Sequence, residues 1–267
     1  MYEERFILSM IHFLKYLFPA VWLVFVIPGN IRAAEPDTLK SPLDLNIRVG
    51  VTNNGFSFVP AFTLGEPATS LDIILKWKRF SIEPQFQYSL SGKPWSFIFL
   101  YRYKVITEGR YQLSAGTHFP ALAFIYDDSA FEGSGGNRPI VDRVLAAELI
   151  NTFTVNPRLS FMLLYLRTRG VQTESFRNGH FLSLSPVFSP IQVARDYQLG
   201  LYPQVFYLRL DDRDGFYISG NILLEKRNFP LSLGSTFYKT FDDEIGGEDF
   251  NWNLSLFYTF RKTYHPK

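Results

Sequence analysis

From residue 43 to residue 51 the chain alternates without a fault. Leu43, Leu45, Ile47, Val49 and Val51 are apolar, and Asp44, Asn46, Arg48 and Gly50 separate them. Side chains along a strand alternate faces, so this segment predicts a strand with one greasy and one wet face. The same period recurs almost to the last residue. Phe56, Phe58, Pro60, Phe62 and Leu64 oppose Ser57, Ala61 and Thr63. Leu71, Ile73, Leu75 and Trp77 oppose Asp72, Lys76 and Lys78. Phe80, Ile82, Pro84, Phe86 and Tyr88 oppose Ser81, Glu83, Gln85, Gln87 and Ser89. Trp95, Phe97, Phe99, Tyr101 and Tyr103 oppose Ser96, Arg102 and Lys104. The last strand sets Phe250, Trp252, Leu254, Leu256, Tyr258 and Phe260 against Asn251, Asn253, Ser255 and Thr259.

The middle of the chain is less regular. Residues 111–116, 145–155, 182–188, 217–225 and 229–237 keep the alternation, although Asn151 falls on a greasy face. Residues 159–166 are apolar on both faces, and 197–210 show no clear phase, with a bulge expected near Pro203. A soluble β-sandwich also alternates. Its core, however, could not bury the Lys, Glu, Arg and Gln that stand mid-strand here without partners. Long ladders of Phe, Trp and Tyr on the opposite face suit lipid. The pattern therefore predicts an all-β fold, an antiparallel up-and-down transmembrane β-barrel.

Thirteen candidate strands result, whereas bacterial single-chain barrels have even numbers. Loop lengths bear on the count. The short links at 53–55, 79–80, 107–109, 156–158 and 227–228 read as inner turns. The long links at 127–143, 170–178 and 240–248 read as outer loops. That scheme leaves the strand at Leu43 starting on the wrong side, so one segment is not a full strand. The expected number is twelve, with ten and fourteen as the neighbouring even counts.

Composition changes the picture in three ways. Aromatics make up 17% of the 267 residues, with 27 Phe and 15 Tyr, which fits a lipid-facing surface with interface girdles. Mean hydropathy is near zero, as alternation requires. A net charge of +2 argues against a nucleic-acid partner. Without cysteine there is no disulfide framework and no thiolate metal site, and no cofactor is expected.

Residues 16–28 form an uncharged, mostly apolar run with Lys15 before it and Arg32, Ala33 and Ala34 after it. That is the length and setting of a secretion signal, with a cut after Ala33 or Ala34. Glu3 and Glu4 are foreign to such a leader, and a start at Met10 would remove them. An uncleaved anchor over residues 6–28 is the competing reading, and it leaves the later strands unexplained. The organisation expected is a signal peptide at 1–34, a periplasmic leader at 35–42, the barrel at 43–261 and a tail at 262–267. The chain would then lie in the cell outer membrane.

Candidate chemistry sits on the wet face. A two-residue turn at Arg79 and Phe80 would set Lys76 opposite Glu83, and a loop at 91–94 would set Glu83 opposite Arg102. With Asp72, Lys104 and Glu148 these residues line the expected lumen. They read as a selectivity ring for ions or small polar solutes, or as a charge ladder that fills a narrow barrel. Catalytic signals are thin. His180 and Ser183 are three apart and so point to opposite faces, and His118 has no nearby nucleophile. Gly133, Ser134, Gly135 and Gly136 lack the Lys-Ser/Thr of a phosphate loop. Asp242, Asp243, Glu244, Glu248 and Asp249 match no calcium spacing and read as a solvated loop. Neither a metal site nor catalysis is expected.

Three stretches, at 60–65 (PAFTLG), 92–97 (GKPWSF) and 226–232 (KRNFPLS), resemble those of uncharacterised single-chain outer-membrane β-barrel proteins of Gram-negative bacteria. The final strand, ending at Phe260, is similar to the signal that the barrel-assembly machinery reads, with seven further residues after it. The resemblance implies fold, location, a lipid environment and that assembly partner, and brings no activity. Three functions stay open on the sequence. They are a narrow passive channel for small polar solutes or ions, a closed structural or adhesive barrel presenting the loops at 127–143 and 240–249, and a lipid-acting enzyme.

Overall fold

The computed structural model describes residues 41–126, 139–172 and 176–265. The expected signal and leader, the Gly133–Gly136 stretch and most of the 127–143 loop lie outside the described residues. The strands are β1 (Leu43–Thr52), β2 (Ala68–Trp77), β3 (Phe80–Ser89), β4 (Pro94–Ile106), β5 (Tyr111–Ile125), β6 (Ile140–Asn156) and β7 (Leu159–Gln172). They continue with β8 (Asn178–Phe188), β9 (Ile191–Ala194), β10 (Tyr197–Leu210), β11 (Arg213–Lys226), β12 (Leu231–Asp243) and β13 (Phe250–Tyr264). Twelve of them close an antiparallel barrel: β1 pairs with both β13 and β2, and β10 pairs with β8 and β11. The short β9 is the extra strand and lies against β10.

The greasy face is the outer one. Trp252, Leu254, Leu256, Tyr258 and Phe260 are exposed, whereas Asn251 and Ser255 between them are buried in the interior. A soluble protein would reverse that arrangement; a barrel in lipid requires it. Closure pairs each of the twelve barrel strands on both sides, apart from the stretch beside the short β9, so little sheet edge is left for the lipid to meet.

We call the end holding Leu43 and Tyr264 proximal. Most links there are short, such as Lys78 and Arg79 between β2 and β3, with Lys78 in the left-handed region at φ 55°; the longer one, at 189–196 between β8 and β10, carries β9. The opposite, distal end carries the links that follow β1, β3, β5, β7, β10 and β12, of which those at 90–93 and 211–212 are short and those at 53–67 and 244–249 longer.

Three expectations need correction. Residues 56–64 form no strand. Pro60 opens a single 3-10 turn over Pro60–Phe62, and the alternating phenylalanines pack into the barrel interior rather than into lipid. The link at 53–55 is accordingly distal, not an inner turn, which removes the thirteenth candidate and the orientation conflict with it. The β2–β3 register is also shifted. Trp77 pairs with Phe80 and Lys76 with Ser81, so Lys76 does not face Glu83. Finally, β13 continues past residue 261, pairing Lys262, Thr263 and Tyr264 with Leu45, Asp44 and Leu43.

The ambiguous strand β10 acquires a phase. Phe206, Leu208 and Leu210 point inward and are buried. Its ladder with β8 stops at the Val205–Leu184 pair. Continuing that register would set Pro203 opposite Pro186. Neither has an N–H, so the ladder cannot be donated across that position. Beyond it the β10 edge takes up β9 instead, through Tyr197, Gln198 and Leu199.

Candidate functional site: the lumen

The interior divides by height. Near its middle, Arg102 on β4 and Glu148 on β6 face each other across Gly116 of β5, which is the register partner of both. Gly116 makes this approach feasible. A Cβ there would lie 2.7 Å from Glu148 Oε1 and 2.8 Å from the Tyr101 carbonyl. Arg102 donates through Nη2 to Glu148 Oε2 at 3.2 Å and through Nε to Oε1, while its Nη1 donates to Glu83 Oε2. Glu83 also accepts the Ser81 hydroxyl at 2.7 Å, and His118 Nε2 lies 3.0 Å from Glu148 Oε2. One guanidinium thus holds two buried carboxylates, the arrangement that lets charges leave water without an unpaired group. Glu148 is only 3% exposed.

The structure therefore brings Glu83, Arg102 and Glu148 together. Glu83 reaches Arg102 diagonally, since its Cα partner on β4 is Leu100. Asp72 sits apart from this cluster as the cross-strand neighbour of Arg48. Lys76 is exposed near the proximal mouth, where it pairs with Asp44. Lys104 is likewise exposed near that end and pairs with Ser114. His118, read from the sequence as lacking a nucleophile, is the fourth member of the cluster. A one-strand alternation does not reveal that, because the contact crosses from β5 to β6.

Distal to this layer the lumen is packed with aromatic rings. Phe206 stacks on Tyr217 at 4.8 Å between centroids and on Phe181 at 5.1 Å. The 53–67 segment folds in above them. Phe58 meets Phe206 at 5.2 Å, Phe56 meets Tyr238 at 5.4 Å, and Phe62 meets Phe176 at 5.8 Å. Its base is closed by Gly55 N–H donating to the Glu66 carbonyl at 2.9 Å and by Leu64 and Gly65 N–H groups donating to the Gly55 carbonyl. Trp95 ties it to the wall. Its indole N–H donates to the Phe62 carbonyl at 2.7 Å, and the side chain is buried rather than lipid-facing as the alternation of β4 predicts. The register shift between Gln87 and Tyr88 near this end of the β3–β4 ladder accounts for the change of face.

Between the segment and the wall lies a cavity of about 440 Å³, lined mainly by apolar groups such as Phe58, Phe62, Leu208 and Val144. Its few polar neighbours include Gln85, Gln87 and His118. The proximal lumen differs. A second cavity of about 250 Å³ is lined by Arg48, Tyr202, Asn221, Ser235 and Thr236. Among the described residues no group of three His, Asp or Glu side chains converges to hold a metal ion. His180 borders the distal cavity but falls on the outward parity of β8, in register with Arg167 and Arg209, and Tyr165 Oη is 2.8 Å from its Nδ1.

No family model and no curated protein matches the sequence. Solved structures share the architecture at low identity. A KdgM porin in complex with disordered oligogalacturonate is 11% identical with a TM-score of 0.49, the match covering 81% of this chain and 99% of that one. An outer membrane channel from Pseudomonas putida F1 is 12% identical with a TM-score of 0.47, covering 89% and 100%. A NanC porin is 11% identical with a TM-score of 0.49, covering 84% and 100%. What they have in common with this chain is a β-barrel; at that similarity none assigns it a solute.

Proposed function

We propose that this protein is an outer-membrane channel for small polar solutes or ions whose path is closed on the distal side by the inward 53–67 segment. One observation carries the reading. The proximal and central lumen is lined by charged and polar groups, and above them the space left beside the wall rings Phe181, Phe206 and Tyr217 is filled by a loop seated by side-chain contacts. The ends of the segment are bonded to the wall, Asn53 and Asn54 to β13 and the Pro67 carbonyl to Leu90 N–H, but its middle, residues 56–64, is held by rings and the Trp95 indole hydrogen bond; that part can leave, whereas a strand of a closed barrel cannot. The two longest links, those after β1 and β5, both leave the distal end, which supports placing the distal side outside the cell.

The test is single-channel recording in a planar bilayer. The wild-type barrel is compared with a variant whose residues 56–64 are replaced by a short Gly-Ser link, both shown folded by a heat-modifiable gel shift. The replacement is expected to convert rare, brief openings into steady conductance, and Glu83→Lys in that background to shift ion preference towards anions. A folded replacement variant that passes no current would sink the channel reading. It would instead favour the closed barrel, which the stacked Phe181–Phe206–Tyr217 column independently suggests.

A further inference from the structure

The outward face at the distal rim of β6, β7, β8 and β10 breaks the rule that the barrel's outer surface is apolar. One straight cross-strand row reads Ala147, Arg167, His180, Arg209 and Asp214. The next row towards the rim sets Leu145 beside Arg169 and Asn178, and Arg143 stands one step further up β6. Four guanidinium groups thus share one patch of the outer wall. Neighbouring strands are about 4.8 Å apart, which places Arg167 and Arg209 about 10 Å from each other.

Among the described residues none of these four arginines forms an ion pair. Two nearby carboxylates spend hydrogen bonds on other partners. Asp211 accepts the backbone N–H groups of Arg177 and Asn178, at 2.9 and 2.8 Å, and Asp214 accepts the Tyr207 hydroxyl at 2.6 Å. Arg167 spends one arm on His180 and one on Asn178 Oδ1 at 2.9 Å, and Arg209 donates Nε to the Asp211 carbonyl at 3.0 Å. These contacts are all to uncharged groups or to a ring that a second arginine also approaches, so they aim the guanidinium groups without neutralising them. Below the patch the outward side chains return to the girdle type, with Tyr165 on β7 and Tyr207 on β10. The cations therefore stand at the headgroup level of the surrounding leaflet, where an outward charge is tolerated and meets lipid phosphate.

We propose that this patch binds a phosphorylated lipid headgroup of the outer leaflet, with Arg167 and Arg209 as its principal ligands and Arg169 and Arg143 at its margin. Planar guanidinium forks match phosphate oxygens bidentately, which is why arginine rather than lysine suits the task. The proposal rests on the outer-membrane placement above but not on conduction.

The refolded barrel in detergent is titrated by native mass spectrometry with a bis-phosphorylated lipid A, with the same lipid after phosphate removal, and with inorganic pyrophosphate. The phosphorylated lipid is expected to bind at least tenfold more tightly than its dephosphorylated form. The double variant Arg167→Gln with Arg209→Gln should lose at least tenfold in affinity, and Arg227→Gln, in a proximal turn, should change nothing. The double lysine variant at 167 and 209 keeps the charge and should fall between. It also decides the matter if the glutamine variant fails the gel-shift test for folding. Equal binding of the two lipid forms, or an unchanged affinity in the double variants, would overturn the proposal. Pyrophosphate binding as tightly as the lipid would overturn the lipid source and leave a free-anion site. A barrel that binds the lipid but never conducts would remove the channel reading alone.

Discussion

The distal and proximal halves of one lumen, built by the same twelve strands, are filled by opposite means. In the distal half Phe206 and Tyr217 are each 1% exposed and Tyr238 is 2% exposed, packed against rings brought in by a connecting loop. In the proximal half Arg48 leans over the Phe257 ring at 5.0 Å and Thr236 donates its hydroxyl to Asn221 at 2.6 Å, with open volume beside them. Aromatic stacking is indifferent to the polarity of a passing solute and simply occupies space. Hydrogen-bonding side chains at a wall leave room and keep it wet. The difference teaches that the distal half is filled by ring packing, whereas the proximal wall leaves open volume beside hydrogen-bonding side chains. The layer of Glu83, Arg102, Glu148 and His118 marks the boundary between the two regimes.

The largest expected effect tests the packed half. Phe206→Ala removes a fully enclosed ring from the centre of the stack and should cost about 3–5 kcal/mol against chemical unfolding in detergent. Tyr202→Ala, the half-buried aromatic of the proximal cavity on the same strand, should cost about 1 kcal/mol, since little apolar area is lost. Equal costs for the two changes would erase the distinction between the halves.

The boundary layer comes next. Glu148→Gln keeps the shape but leaves Arg102 with Glu83 as its one charged partner, and should cost about 1.5–3 kcal/mol, the range of a hydrogen bond to a charged group. Gly116→Ala should do similar damage by a different route, because its new Cβ enters the space that the Arg102–Glu148 contact occupies. If Gly116→Ala proved neutral while Glu148→Gln did not, the close approach over β5 would be dispensable and the layer would be held through Glu83. Unfolding midpoints of the two single variants and of the double variant separate these cases.

Much of this architecture was legible in the residues. The period of two identified the strands, the greasy ladders identified the lipid face, and parity alone placed Glu83, Arg102 and Glu148 on the lumen side. Two things were not legible, for physical reasons. Residues 56–64 carry the same alternation as a strand, because a segment packing rings to one side of its backbone needs that period whether it pairs or not; Pro60 was the one local sign against pairing. The partners of Arg102 depended on inter-strand register. The two-residue turn falls on Lys78 and Arg79, one residue earlier than Arg79 and Phe80, and that shift moves every cross-strand pair of the hairpin by two positions. Position within a strand fixes the face, but turn geometry fixes the neighbour. For the same reason the outward arginines were invisible as a patch: Arg167 and Arg209 are 42 positions apart and meet through the His180 row alone.

The smallest effect sharpens the comparison at the distal rim, where polar contacts rather than rings hold the connections. The Asp211 carboxylate, in the turn between β10 and β11, accepts the N–H groups of Arg177 and Asn178, and those bonds hold its pKa below the usual aspartate value. A depressed folded-state pKa means that the contribution is present above the unfolded value, about 3.9, and is lost as the pH falls through the lower folded one. Amide exchange at Arg177 and Asn178, corrected for the intrinsic pH dependence, should therefore be protected at neutral pH and should lose protection in acid below about pH 4. Asp211→Asn should show the weaker protection at every pH. The Phe181 and Phe206 rings carry no titratable group, so protection on β10 near Phe206 should hold over the same range. A parallel loss at both places would mean that the rim and the packed interior open as one unit, and the loop at 53–67 would then not be free to leave on its own.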